Sequence, residues 1–489
     1  MITTMANDKI VWSEQLIRET YKESSDVIIE TCRYGTNGED AVVLFYANGL
    51  CDSNEIRKVV QPELALHFEQ NAGDKLSFNS LVTMLTLAPF EENSMGAVDQ
   101  FLFAGDLILF FVKEKALYHM SINKRPQRSP SESATEISIR GPKDGFIEDA
   151  VTNVAIIRKR MRTNSLHVKA FTIGTRTQTT LSLLYLADVI NPKILDEVTK
   201  KLNSIDRDGI YTIDQLDEVL TGSKIKILPL LEYTGRPDFA VNALLSGRFI
   251  IVLDGNPMVV IGPAGLTLIL KSPEDIHFNY SYVTFARLIR GISLFFAIFL
   301  PGIWVALMAF HQDQIPFRIM ATVAISRLGL PFSSQIEMFI LLMLLEIFRE
   351  AGIRLPNAIG QTLTSIGGLI IGDAAIRAGL VSPSVVVIGA ITAVSGVTLV
   401  NQSLSSVVSI MRLFFFILGC YLGLYGVILG IVLFISYLAS QKSFGVSYLA
   451  PLSPFRFKDA IASFMRLPWF MMKKRPSGMM PQDKDRLRS

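Results

Sequence analysis

The chain has 489 residues, 50% hydrophobic and 19% charged, with a net charge of +3. It lacks both the basic excess of a nucleic-acid binder and the charge density of an ordinary soluble protein. The deficit is local: residues 291–440 hold eleven charged side chains in 150 positions, whereas the first 290 are charged at an ordinary density.

The N-terminal run MITTMANDKIVWSEQLIRET has no long apolar stretch, so no signal peptide is read there. The first hydrophobic segment, near Gly291, is expected to direct membrane insertion. Cys32, Cys51 and Cys420 form neither a metal spacing nor an even disulfide set, which suits a reducing compartment around the polar part.

Two passages of the polar part share an order of elements. The first runs AVVLFYANGLCD (residues 41–52), a helix-like stretch at 55–60, and later GDLILFFVKEKALYHM (105–120). The second runs TLSLLYLADVINP (180–192), a helix-like stretch at 194–205, and later GRFIIVLDGNPMVVIG (247–262). Each reads as a β-rich run, a helix and a glycine-led hairpin. Asp254-Gly255-Asn256 is a strong turn signal and Lys113-Glu114-Lys115 a weaker one. The similar spacing predicts a duplicated lobe. Residues 123–138, NKRPQRSPSESATEIS, read as the linker or exposed loop between the halves. Two lobes joined there would enclose a cleft suited to a small ligand.

After the linker, Asp144 is expected to cap a helix with Phe146, Ala150, Val154, Ile157 and Met161 on one apolar stripe. Arg158, Lys159, Arg160 and Arg162 fall in its last turns, where the helix dipole favours cations. That end reads either as a solvated basic terminus or as a surface for anionic headgroups or a partner.

The charge-poor half offers membrane segments. Residues 291–310 give about 20 uncharged residues, enough to cross roughly 30 Å of hydrocarbon, and Pro301 within them is tolerable in a membrane helix. Residues 413–440 form a longer run; 384–400 and 359–381 are weaker. Residues 336–348 carry Glu337 and Glu346, so four or five spans are both open. Arg287 and Arg290 before the first span, and a basic cluster after the last, place both ends in the cytoplasm.

Within 359–379, Gln361, Ser365, Gly368, Gly372 and Ala375 share one helical stripe. Small residues at this spacing serve close helix packing or line a narrow aqueous pore, and Gly419/Gly423 and Gly426/Gly430 repeat the pattern. Asp373 with Arg377, and Glu350 with Arg354, are i,i+4 pairs near segment ends, fit for a functional or an interfacial structural role. Pro356 marks an expected helix end.

No phosphate-binding loop, dinucleotide fingerprint, H-E-x-x-H or nucleophile elbow occurs, and the five histidines stand apart. No enzyme activity, cofactor or metal is expected.

From about residue 132 onward the chain resembles the A subunits of GerA-type spore germination receptors. The residues that carry the likeness are Arg140-Gly141-Pro142 with Asp144, Gly145, Phe146 and Glu148; the run Ile157 to Arg160, including Arg158; and Arg236-Pro237-Asp238. In the charge-poor half they are residues 349–356 (REAGIRLP) with Gly360, Ser443-Phe444-Gly445 with Tyr448, Ala450 and Pro451, and Lys474-Arg475-Pro476. Ile276-His277 and Ser447 depart from the family's habit. The resemblance implies a nutrient-receptor subunit in the inner membrane of bacterial spores. It implies assembly with a transporter-like B subunit and a lipoprotein C subunit, and self-association around an ion conduit. A solute transporter and a non-conducting scaffold of the receptor are the competing readings.

The expected fold is therefore an α/β soluble N-terminal region of two similar lobes followed by an all-α polytopic transmembrane domain. Its expected boundaries are 1–130 and 131–285 for the lobes, 286–440 for the membrane helices and 441–489 for a basic cytoplasmic tail.

Overall fold

The computed structural model describes residues 12–34, 40–70, 75–90, 94–122, 136, 138–222, 227–354 and 373–486. They form two compact units. The first comprises Met1–Lys224, Leu231–Pro263 and Met472–Ser489; the second comprises Ile225–Leu230 and Ala264–Met471.

The first unit contains two five-stranded antiparallel sheets. One is built from β1 (Val27–Tyr34), β2 (Asp40–Ala47), β3 (Ala88–Pro89), β4 (Leu107–Phe111) and β5 (Ala116–Met120). The other is built from β6 (Leu166–Ile173), β7 (Thr179–Leu186), β8 (Glu232–Thr234), β9 (Phe249–Leu253) and β10 (Val259–Gly262). Their strand orders, β1-β2-β4-β5-β3 and β6-β7-β9-β10-β8, follow the same path twice. Both hairpins stand where the turn signals put them: Lys115 and Gly255 adopt positive φ in the β4–β5 and β9–β10 turns.

The unbroken apolar text of the central strands reflects burial on both faces. In the first lobe Val43, Phe45, Ile108 and Phe110 pack with Trp12, Ile17, Tyr21 and the helix Met95–Leu102. On the opposite face Val42, Leu44, Leu107, Leu109 and Phe111 meet Ile56, Val60, Leu64 and Leu81. The core of this lobe thus reaches back to Trp12.

Asp144 does not cap the helix after the linker. That helix is Ala150–Arg160, its N-cap is Asp149, whose carboxylate accepts the Thr152 amide, and Asp144 pairs with Arg160 at 2.7 Å. The chain between them is held irregular by Asn153, fully buried, whose side chain exchanges two hydrogen bonds with the backbone of Ile147.

Among the described residues of the second unit two helices are long and apolar enough to cross a membrane, Tyr280–Phe310 and Gln402–Ser440. The first continues through Pro301. The second is not straight. Gly423 has φ +61° and ψ −153°, and beyond it the chain turns back on itself. Phe415 and Phe434 would lie roughly 28 Å apart along a continuous helix, yet their rings are 6.0 Å apart. The single uncharged run read at 413–440 is therefore a hairpin with arms 402–422 and 424–440, about 31 and 26 Å long. Helix Pro383–Val397 is shorter, and Ser334–Arg354 carries both Glu337 and Glu346.

The two ends of this unit are joined. The Leu266 amide donates to the Tyr448 carbonyl at 3.0 Å, and the Thr267 hydroxyl to that of Ala450 at 3.2 Å. The chain thus enters and leaves the apolar helices at one place. Residues 441–489, read as a tail, are divided: 441–471 belong to the second unit, and 472–486 fold into the first. There Gln482 binds Val189 and Ile190, and Arg475 binds Leu245.

Candidate functional site

Arg158 does stand in the last turn of helix Ala150–Arg160, beside Lys159 and Arg160, but its side chain faces neither solvent nor a headgroup surface. It is 1% exposed. Its Nε and Nη2 donate to the two carboxylate oxygens of Asp26 at 2.7 and 2.9 Å, and Nη1 donates to the Thr163 carbonyl at 3.1 Å. The guanidinium also lies 4.2 Å from the ring centre of Phe103, a core residue of the first lobe. Two-pronged pairing and stacking on an aromatic face are what a planar guanidinium offers and an ammonium does not.

Stripe spacing did not single it out: at 3.6 residues per turn Arg158 lies about 80° to one side of the centre of the apolar stripe and Arg160 about 80° to the other. Around Arg158 the lobes are stitched by backbone: the Ser25 amide donates to the Val168 carbonyl at 2.8 Å, and the Val168 amide to the Glu23 carbonyl at 3.2 Å. At this point the two lobes are in direct contact.

Asp99 completes the junction. Tyr21 donates to it at 2.8 Å. Burial pushes its carboxyl up to about 6, against the opposing pull of the Tyr21 hydrogen bond and the charge of Arg158.

Arg236, Pro237 and Asp238 form a second cluster, with Glu136. Arg236, 2% exposed, precedes helix Pro237–Leu245 and turns onto Asp238 in its first turn, at 3.1 and 2.7 Å. Glu136 accepts from the Thr234 hydroxyl and the Gly235 amide, and burial raises its carboxyl. Pro237 supplies the fixed φ that opens the helix. Arg140 is exposed, with Gly141 and Pro142 half-buried beside it.

The candidate residues of the charge-poor half divide. Gln361, Ser365, Gly368, Gly372 and Pro356 lie outside the described residues, as does the side chain of Arg354. Asp373 and Arg377 do pair, at 2.8 Å, but both are largely exposed, so the pair contributes little to stability. Glu350 is exposed at the end of Ser334–Arg354.

The ion pairs that bind helices together involve other residues. Glu346 pairs with Arg349 at 2.6 Å and, 66 positions away, with Arg412 at 2.8 Å. Glu337 is fully buried, accepts the Ser382 amide at 2.9 Å and lies 3.4 Å from Arg327. Spacing within one helix could not reveal pairs made between helices.

Glycines set the contact between the long helices. A Cβ on Gly302 would come 2.5 Å from the Phe415 carbonyl, and one on Gly419 2.4 Å from that of Gly302. Gly426 and Gly430 instead face the other arm of their own hairpin, against Leu418 and Leu422 for one and Phe415 and Leu418 for the other. Among the described residues no group of three His, Cys, Asp or Glu side chains is placed to hold a metal ion.

The comparisons with known proteins agree with the motif residues. The sequence model of the Bacillus/Clostridium GerA spore germination protein matches residues 15–478, so the likeness extends well before residue 132. The chain is 40% identical to spore germination protein XA of Bacillus anthracis over 98% of its own length and 97% of that protein's. It is 33% identical to spore germination protein KA of Bacillus subtilis (strain 168), over 96% and 87%. A crystal structure of the N-terminal domain of the A subunit of the Bacillus megaterium spore germinant receptor GerK3 aligns with a TM-score of 0.39 at 26% identity, covering 51% of this chain and 92% of that one. Matched along nearly its whole length, the chain belongs to the GerA family of spore germination proteins.

Proposed function

We propose that this protein is the A subunit of a spore germinant receptor, embedded in the spore inner membrane, and that copies of it assemble around a cation pathway opened by nutrient. The observation that carries the reading is the family match over residues 15–478, joined to a second unit that begins and ends its apolar helices at one hydrogen-bonded place. Shared ends favour an even number of crossings with both flanks cytoplasmic, in keeping with Arg287 and Arg290 before the first helix. In this reading a B subunit of transporter type and a lipoprotein C subunit complete the receptor, and the chain itself catalyses nothing.

The pathway is assigned to the stripe of Gln361, Ser365, Gly368 and Gly372, with Asp373 from each copy forming an acidic collar that concentrates cations. Asp373 is well suited to this place, because its side chain is 59% exposed despite the Arg377 pair. The test is cation flux through the purified chain in liposomes, beside nutrient-triggered cation release from spores carrying each variant. Asp373→Asn should lower conductance and Gly368→Leu should block it at normal protein levels. Unchanged flux in both variants would defeat the pathway. Transport of a solute without ion leak would favour the transporter reading, and no flux at all the scaffold.

A further inference from the structure

Residues 455–471, just before the chain returns to the first unit, have no part in the reading above, and their surface is unusual. Among residues 455–471, Phe455, Phe457, Met465, Trp469, Phe470 and Met471 are all exposed, Trp469 by 81%. Their neighbours are basic. Residues 264–291 and 441–471 together carry seven Lys or Arg and three Asp or Glu, a net of +4.

This stretch is fixed to the start of the first long helix. The Arg466 guanidinium donates to the carbonyls of Asp275, Ile276 and Phe278, and the Arg466 amide donates to the Thr284 hydroxyl at 3.1 Å. Arg287 reaches the Ser463 carbonyl at 3.3 Å. Three guanidiniums, those of Arg287, Arg290 and Arg466, are gathered here around the single carboxylate of Asp275 and its backbone.

The depth of this attachment follows from the helix. Phe310, at its far end, lies against the Gly423 turn, which is flanked by Tyr421 and Tyr425, exposed by 81% and 70%. Tyrosines of this kind belong at a membrane boundary. Counting back about 20 residues, one hydrocarbon thickness, reaches Gly291. Thr284 and Arg287 are one to two turns further out, within the headgroup layer. Exposed Phe285, Leu288 and Ile289 occupy the same depth. A water-facing surface would not pair this many aromatic side chains with excess positive charge, whereas the interface of an anionic bilayer takes both.

We propose that residues 455–471, held against the first turns of helix Tyr280–Phe310, form an interfacial collar that inserts its aromatic side chains among acidic phospholipid headgroups. The inference rests on the membrane reading above. Its occupant is the lipid surface and not a second protein, because the apolar side chains continue the lipid-facing flank of a spanning helix and the charge matches phosphate.

The test uses the full chain in lipid nanodiscs. The chain has three tryptophans, Trp12, Trp304 and Trp469, so two single-tryptophan forms suffice: one keeps Trp469 (Trp12→Phe, Trp304→Phe), the other keeps Trp304 in mid-helix (Trp12→Phe, Trp469→Phe). Trp469 should be quenched several-fold more by lipid labelled near the headgroup than by lipid labelled at the chain end, and should resist aqueous acrylamide. Its quenching should weaken when phosphatidylglycerol is replaced by phosphatidylcholine. Trp304 should be quenched by the deep label in both lipids. If Trp304 responds to lipid while Trp469 responds to acrylamide or to neither, the collar is wrong and the membrane reading stands. If both single-tryptophan forms ignore both lipid labels, the membrane reading itself has failed. Equal Trp469 quenching in both lipids would overturn the assignment to acidic headgroups.

Discussion

Arg158 and Asp26 lie 132 positions apart in the chain and close a two-pronged ion pair between the lobes, at 2.7 and 2.9 Å, with the guanidinium 1% exposed. Neither lobe can satisfy its own charge alone. Asp26→Ala would strand a buried cation and should lower unfolding stability by about 3–5 kcal/mol. The double variant Arg158→Met with Asp26→Leu should recover much of that, since it removes both charges together. Urea unfolding of the soluble part would measure both. A loss below about 1 kcal/mol for Asp26→Ala would mean the pair is solvated.

A fragment of residues 12–263 should fold on its own, because both sheets and their cores fall within it. Starting instead at Asp26 should fail, since Trp12, Ile17 and Tyr21 would be missing from the first core. Circular dichroism and amide exchange on the two fragments give the comparison. A stable fragment from Asp26 would mean the N-terminal helix is dispensable.

Asp99 should make stability depend on pH in a particular direction. Its folded carboxyl titrates near 6, above the ordinary aspartate value near 3.9. The folded state therefore holds a proton that the unfolded chain releases between those values. Asp99's contribution is greatest below about pH 4 and is lost as pH rises through 6, by about 2–3 kcal/mol. Asp99→Asn, which can still accept from Tyr21, should be near neutral at low pH and stabilising at pH 8. Urea midpoints across pH would test it; a variant with the wild-type pH profile would assign the titration elsewhere.

Gly419→Ala should weaken packing of the long helices by roughly 1–3 kcal/mol, because its new methyl would meet the Gly302 carbonyl at 2.4 Å. Gly396→Ala, which meets nothing within 4 Å, should be tolerated. Thermal denaturation of both in detergent, against wild type, makes the comparison, and equal melting of the two would mean that the contact yields at no cost.

The sheets were legible because their signals are local. Turn residues at 113–115 and 254–256 and doubly buried strands such as Phe249–Leu253 declare themselves within a few positions. The helix after the linker was legible in its stripe but not in its cap: Asp144 and Asp149 are both competent caps, and only the Asn153 clasp on Ile147 decides between them. Arg158 was misread because a cation at a helix end has a sufficient local explanation, and its partner Asp26 lies 132 positions away. Gly423 was misread for the opposite reason. In a run already rich in glycine, the one that reverses the chain looks like those that merely let helices touch. The Glu346–Arg412 pair was beyond reach, since nothing at either position names its partner.

The return of residues 472–486 to the second lobe has a consequence for synthesis. Gln482 and Arg475 bind Ala187, Ile190 and Leu245, all of which leave the ribosome long before them. The lobe therefore waits, without those contacts, while more than two hundred later residues, the apolar helices among them, are made. Its last contacts form only after that synthesis, so a fully closed second lobe marks a chain whose apolar helices have already been translated.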